Sequence, residues 1–217
     1  MTLFRLDASI LPAASTSAEI ADVVEAKWTA AHPGEQVVRR HLGTDPLPAD
    51  AWTHATLGAF TPEDERTPAQ REALALAKEL VEELQAADAV VLAVPLYNYG
   101  VSQHFKAWVD LVIAAAGPTN PVLKGVPTVL ATVRGGGYGP GTPREGWDHS
   151  TPYLTRVIGD MWEADLTLIE RELTLAATTP GMEGLRDLAA DLHGKALDAA
   201  HEAGAALTGA ATAAATA

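Results

Sequence analysis

The sequence predicts an α/β fold, a doubly wound sandwich of five parallel strands in the order 2-1-3-4-5 with helices on both faces. Three observations carry that expectation. Short β-type runs alternate with longer helical ones along all 217 residues. The run Ala89-Val90-Val91-Leu92-Ala93-Val94 is apolar at every position, as in a strand covered on both faces. Right-handed crossovers around one core leave few other strand orders.

Leu3 to Ala8 reads as the first strand, and a helix follows from Thr16 with Ile20, Val23, Val24, Trp28 and Ala31 at spacings of three and four. Thr16 and Glu19 have the spacing of a capping box, and Pro33-Gly34 ends the helix. Glu35 to Leu42 is the second strand. Residues 43–66 hold three prolines and weak periodicity, and read as a long functional or disordered loop. Thr67-Pro68-Ala69-Gln70 starts a helix that buries Leu74, Ala77, Leu80, Val81 and Leu84. After the apolar third strand, Val101 to Ala116 is helical, with Phe105, Trp108, Val109 and Val112 inward. Val126 to Val133 is a fourth strand, Ser150 to Met161 a helix, Asp165 to Glu172 a fifth strand, and Met182 to about Ala206 the last helix. Residues 1–207 are expected to form one domain and 208–217 an Ala/Thr-rich flexible tail.

Composition narrows the function classes. Fifteen Lys and Arg against 28 Asp and Glu give a formal charge of −13, which repels phosphate backbones and anionic lipid and argues against nucleic-acid and membrane partners. The absence of cysteine excludes disulfides, thiolate metal sites and a Cys nucleophile, and favours a cytoplasmic protein. The N-terminus has neither a basic region nor a long apolar run of the secretory kind. The seven histidines show no metal-ligand spacing, and neither G-x-S-x-G nor G-x-x-x-x-G-K occurs.

In a doubly wound sheet the ligand sits beyond the carboxyl ends of the strands at the switch point, so the loops after strands one, three and four should carry the chemistry. The first, Ser9 to Ser17, holds three of the five serines of the chain. Hydroxyls and free amides at a helix N-terminus suit a phosphate, here held by neutral donors without a compensating cation. The second, Pro95-Leu96-Tyr97-Asn98-Tyr99-Gly100, offers aromatic faces and an amide to a planar heterocycle, although a plain turn needs only the Asn and Gly. The third runs from Arg134 to Gly141 and fits no G-x-G-x-x-G register, but its glycines let backbone approach a ligand. Arg134 can serve the ligand or the surface. In Trp147-Asp148-His149 an acid or base competes with simple capping of the helix at Ser150, and capping is favoured.

At these loops the sequence resembles the FMN-dependent NADH-azoreductases, a family of flavodoxin-like quinone reductases. The likeness covers Ser9, Ser15-Thr16-Ser17, Thr67-Pro68 to Leu84, Pro95 to Tyr99, Arg134-Gly135-Gly136 and Thr151-Pro152-Tyr153-Leu154. It implies that Ser9, Ser15, Thr16 and Ser17 hold the phosphate and ribityl end of FMN. Pro95, Leu96, Tyr97, Asn98 and Tyr99 then border one side of the isoalloxazine, and Arg134, Gly135, Gly136 and Tyr138 the other. It further implies a homodimer and a ping-pong passage of two electrons from NADH or NADPH to a quinone, azo compound or related acceptor. Such chemistry belongs to the flavin and needs no side-chain nucleophile.

The sequence departs from the resemblance at two places. The connection Gly117 to Pro121 is short and lacks aromatics, and Gly159-Asp160-Met161-Trp162-Glu163 stands where relatives carry Gly-Phe-apolar-Gly. The acceptor pocket is therefore expected to be relined by Tyr99, Trp147 and Trp162, with Asp160. Asn98, His149, Asp160 and Glu163 are the candidates for a proton-transferring group, with a plain solvent-facing reading of Asp160 and Glu163 weighed equally. The alternatives are a flavin-dependent tailoring enzyme of secondary metabolism with a dedicated substrate, and a flavodoxin-like electron carrier.

Overall fold

The computed structural model describes residues 1–214, with side chains as far as Leu207. Strands β1 (Thr2–Asp7), β2 (Gln36–His41), β3 (Ala89–Ala93), β4 (Pro127–Val133) and β5 (Asp165–Arg171) form one parallel sheet in the order β2-β1-β3-β4-β5. The strand order is the one expected, and the switch point falls between β1 and β3. Strand alternation explains the continuous apolar run of β3. Val90 and Leu92 point to one core with Phe4, Leu6 and Leu130, while Ala89, Val91 and Ala93 point to the other with Leu3, Val129 and Ile169.

Helices α1 (Thr16–Ala31) and α6 (Arg186–Ala214) pack together on the second of these faces, and Ile20, Val24, Trp28 and Ala200 close its core. Helices α2 (Ala51–Phe60), α3 (Pro68–Gln85) and α4 (Gln103–Ala116) cover the first. The capping box of α3 is present in both halves: Gln70 N donates to Thr67 Oγ1 at 3.2 Å, and Thr67 N to Gln70 Oε1 at 2.8 Å. Arg5 is buried on the α1 side of β1, where it binds Asp7 at 2.8 Å and Asp22 at 2.6 Å. Burial opposes its charge, but these carboxylates outweigh it and raise its pKa above the ordinary arginine value.

Several local expectations are corrected. The cap of α1 is Ser15, whose hydroxyl accepts from Ala18 N at 3.1 Å; Glu19 instead bridges Arg171 and His193. Residues 43–66 are not a bare loop, because they contain α2. Its buried positions are Ala51, Ala55 and Gly58, small residues that let it lie close on α3. A Cβ on Gly58 would stand 3.0 Å from Leu74 Cδ1. An apolar-periodicity search looks for large residues and passes over such a stripe. The helix expected at 150–161 begins as α5 (Thr151–Leu154) and widens into a π-helical stretch, Thr155–Met161. Helix α6 continues past the expected boundary at 207 to Ala214, and residues 215–217 of the expected tail lie outside the described residues. Among the described residues no helix is long and apolar enough to cross a membrane.

Candidate active site

A cleft of about 580 Å³ opens at the carboxyl ends of β1, β3 and β4, within the range of small-molecule sites. Its first wall is the turn into α1. Ser15 and Ser17 bring their hydroxyls within 3.2 Å of each other, Ser17 is wholly buried, and Thr16 lines the same wall. The amides of Thr16 and Ser17, at N1 and N2, have no acceptor among the described residues, so the helix offers two free donors and two hydroxyls at one point. Ser9 Oγ lies 3.2 Å from Tyr97 Oη, which also accepts from Ile10 N at 3.2 Å, so the first and second loops are tied together.

The second wall is a tight turn. Tyr97 and Gly100 exchange both backbone hydrogen bonds at 2.9 Å, while Asn98 (φ 47°) and Tyr99 (φ 69°) occupy the left-handed region. Two positive-φ central residues make a type I′ turn. Asn tolerates that conformation, whereas an aromatic there is strained. Tyr99 is held by two contacts beyond its own backbone: its carbonyl accepts from His149 N at 2.9 Å, and its ring meets Trp147 edge-on at 5.5 Å. Pro95, Leu96, Tyr97, Asn98 and Tyr99 all line the cleft.

The third wall is the glycine loop, braced by the segment after β5. Leu175 N donates to Gly135 O and Leu173 N to Gly136 O, both at 3.2 Å. A Cβ on Gly135 would stand 2.7 Å from Leu175 Cδ1, so glycine is what permits this approach. Gly135, Gly136 and Tyr138 line the cleft; Arg134 does not. Its guanidinium turns into a buried cluster with Asp148 (2.6 Å), Thr151 (2.8 Å), Glu172 (3.3 Å) and Glu170. Glu172 also accepts from Tyr138 N at 3.0 Å, so Arg134 acts on the loop by anchoring it. Burial raises the Asp148 pKa, but hydrogen bonds from Thr151 and the charge of Arg134 reverse this and leave it below the usual carboxylate value. Asp148 Oδ1 accepts from the amides of Ser150 and Thr151 at 2.8 and 2.9 Å, so this stretch does cap α5.

Of the four residues expected to reline the pocket, Tyr99 lines the cleft and Trp147, Asp160 and Trp162 do not. Trp162 is 2% exposed and packs edge-on against Trp108 at 5.5 Å, on the far side of the first core. The π-helical widening ends at Trp162, and the short connection after Gly117 lies beside it, with Leu123 N donating to Trp162 O at 3.1 Å. Asp160 pairs with Arg156 at 2.8 Å and Glu163 with Lys124 at 3.1 Å, both at the surface. Trp147 and His149 are exposed beside the cleft and reach it only through Tyr99. The residues missed are Thr174, Leu175 and Thr178 after β5, and Arg144, which lies over the Tyr138 ring at 5.9 Å. The first three follow a strand whose loop the switch-point rule does not single out. Arg144 lies three residues beyond Gly141, where the glycine pattern stops.

Fold and cleft define a doubly wound α/β protein with a cleft at the switch point. The chain belongs to the Flavodoxin_2 family, of flavodoxin-like fold, whose profile matches residues 1–169. A protein of Frankia alni named FMN-dependent NADH:quinone oxidoreductase is 41% identical over 192 residues, 86% of this chain and 90% of its own. One of the same name from Streptomyces avermitilis is 38% identical over 90% of this chain and 91% of its own. Among solved structures, an azoreductase from Bacillus anthracis superposes with a TM-score of 0.75 at 21% identity, covering 94% of this chain and 99% of the other.

Proposed function

We propose that this chain is an FMN-dependent NADH:quinone oxidoreductase of the azoreductase kind. The observation that carries the proposal is the first wall: two hydroxyls and two free helix-terminal amides converge beside a cleft that is otherwise aromatic and glycine-lined. A phosphate end and a planar ring match these two halves, and relatives at 38–41% identity carry the name. When bound, FMN supplies the two-electron chemistry, taking hydride from NADH and returning it to the acceptor.

The residues present fit that cofactor. Ser15 and Ser17 with the Thr16 and Ser17 amides would hold the phosphate, and Ser9 the chain leading from it. No cation is needed, because the α1 dipole and neutral donors favour an anion there. Pro95, Leu96 and Tyr97 would support one edge of the ring, with Asn98 and Tyr99 presenting backbone held in place by the I′ turn. Gly135, Gly136 and Tyr138 would border the other. No side chain on the cleft carries a carboxylate or imidazole. The chain's part is thus to orient rings and exclude water, and acceptor and reductant take turns at one opening in ping-pong order.

We further propose a homodimer in the cytoplasm. Helix α4 spends Phe105, Trp108, Val109, Leu111 and Val112 on the chain's own core. The support lies instead on α2, which exposes Trp52, Leu57 and Phe60. Purified protein should be yellow or load with FMN, and anaerobic NADH should bleach it. A protein that takes up no FMN, or whose flavin is untouched by NADH and NADPH, overturns the enzyme assignment. Light scattering that gives a concentration-independent monomer overturns the dimer.

A further inference from the structure

Arginine is engaged almost everywhere in this protein. Arg5, Arg39, Arg40, Arg134, Arg156 and Arg171 pair with carboxylates, and Arg66, Arg71 and Arg186 donate to carbonyls. Arg144 alone among the ten arginines has a guanidinium with neither a hydrogen bond nor an ion pair among the described residues, and only its backbone carbonyl is engaged, by Trp147 N at 3.1 Å. Its isolation is unexpected in a chain with 28 carboxylates. The adjacent carboxylate, Glu145, is turned to Gly141 N at 2.7 Å, and Glu172 is occupied by Arg134 and Tyr138 N.

Arg144 is also the single charged residue lining the cleft. It sits at the glycine-loop wall, where its Nη1 would be 2.7 Å from a Cβ on Gly136, and stacks on Tyr138. That ring in turn meets Tyr99 at 6.4 Å. A guanidinium laid on an aromatic face keeps its planar fork oriented and its donors free for a carboxylate or sulfonate. With a formal charge of −13 the protein as a whole repels anions, so a local cation is what favours a second, exchangeable anion at this wall.

We propose that Arg144, held by Tyr138, is an anion-recognition residue at the glycine-loop wall of the cleft, selecting conjugated acceptors that carry a carboxylate or sulfonate. The assignment rests on the flavoenzyme reading above and adds its substrate class. Its chemistry differs from that of the serine wall: an oriented exposed cation receives the free acid of a ligand that comes and goes, whereas neutral buried donors hold a resident phosphate.

The test uses the FMN-loaded protein and a pair of acceptors matched in ring and potential, a 1,4-benzoquinone with a propionate side chain and its methyl ester. For wild type at low salt, kcat/KM should favour the acid, and in Arg144→Gln the acid-to-ester ratio should fall about fivefold, the scale of one partly exposed charge pair. Arg144→Lys should restore part of the ratio, and 1 M salt should collapse it in wild type. An unreactive readout runs in parallel. Benzoate titrated into the oxidised protein should perturb the flavin spectrum at lower concentration than benzamide, and Arg144→Gln should remove that preference. Equal ratios in wild type and Arg144→Gln overturn the assignment. So does a tenfold loss of FMN affinity in the variant, which would give the guanidinium to the cofactor. A change confined to KM for NADH, with the acid-to-ester ratio unmoved, would give it to the pyrophosphate of the reductant and also overturn it. A chain that binds no FMN overturns the flavoenzyme reading itself, a result visible before any acceptor is added.

Discussion

The loop after β1 and the loop after β4 line one cleft, yet different forces hold them. The first is neutral: Ser15 caps α1, Ser17 is buried, and the wall contains no ionised side chain. The second hangs on charge. Arg134 gathers Asp148, Glu170 and Glu172, and Glu172 passes the constraint to the Tyr138 amide. A neutral wall can present unspent donors to an anion. A wall built of glycines has no side chains with which to stiffen itself, so it borrows rigidity from an ion cluster behind it. Substitutions in the first should therefore strike ligand affinity, and in the second stability and shape.

The largest effect should come from the neutral wall. Ser17→Glu places a negative charge in the buried site proposed for a phosphate dianion, and removes a donor. At an effective dielectric near 20, one unit of repulsion at contact is worth about 4 kcal/mol, so FMN affinity should fall ~100-fold or more. Flavin fluorescence titration, with circular dichroism to confirm folding, measures this; affinity equal to that of wild type would refute a phosphate site at Ser17.

Removing the guanidinium from the charged wall should be next. Arg134→Met leaves three carboxylates without their shared cation. Breaking a buried pair costs about 3–5 kcal/mol, and the partial exposure of Glu170 reduces this to roughly 2 kcal/mol. The pH dependence gives a second reading. Asp148 has a folded pKa below its ordinary value, so the stability it contributes is present above the unfolded carboxylate pKa and is lost as pH falls through the folded one. The acid-side decline in urea stability should be shallower in Arg134→Met. A variant as stable as wild type with an unchanged acid limb would show that the cluster does not brace the loop.

The strain at Tyr99, in the turn after β3 that lies between these two loops in the chain, gives an intermediate test. At φ 69° glycine is unstrained and alanine is not, so Tyr99→Gly should be more stable than Tyr99→Ala by about 1 kcal/mol, reversing the usual order. Equal thermal midpoints for the two variants would place the strain elsewhere.

The same contrast accounts for what could be read from the sequence. The strand order, the cap-rich wall and the aromatic turn were legible because each rests on local chemistry: apolar runs, hydroxyls before a helix, Asn and Gly in a turn. The role of Arg134 was half legible. Its place beside the glycines was evident, but the carboxylates that turn it away from the cleft lie 14 to 38 residues further along, and only the β4–β5 pairing brings two of them near. Helix α2 was missed because small residues, not large ones, make its buried stripe. Trp162 was misplaced because its pocket position was carried over from the resemblance, whereas here a π-helical stretch ends at it and its ring packs on Trp108.

The smallest effects should fall where the chain departs most from its resemblance. Asp160 and Glu163 stand where the resemblance implies apolar residues, and a carboxylate in an acceptor pocket would alter both specificity and proton supply. In the structure neither lines the cleft: Asp160 forms an i,i+4 pair with Arg156, and Glu163 pairs with Lys124, with all four side chains largely open to solvent. Such pairs are worth about 0.3–0.5 kcal/mol and are screened by salt. Asp160→Ala and Glu163→Gln should therefore leave kcat/KM for simple quinones within twofold of wild type, with thermal midpoints lowered by no more than a degree or two. A larger change in turnover without a matching loss of stability would mean that this segment closes over the cleft in a dimer. The cleft would then have a further wall, contributed by the partner.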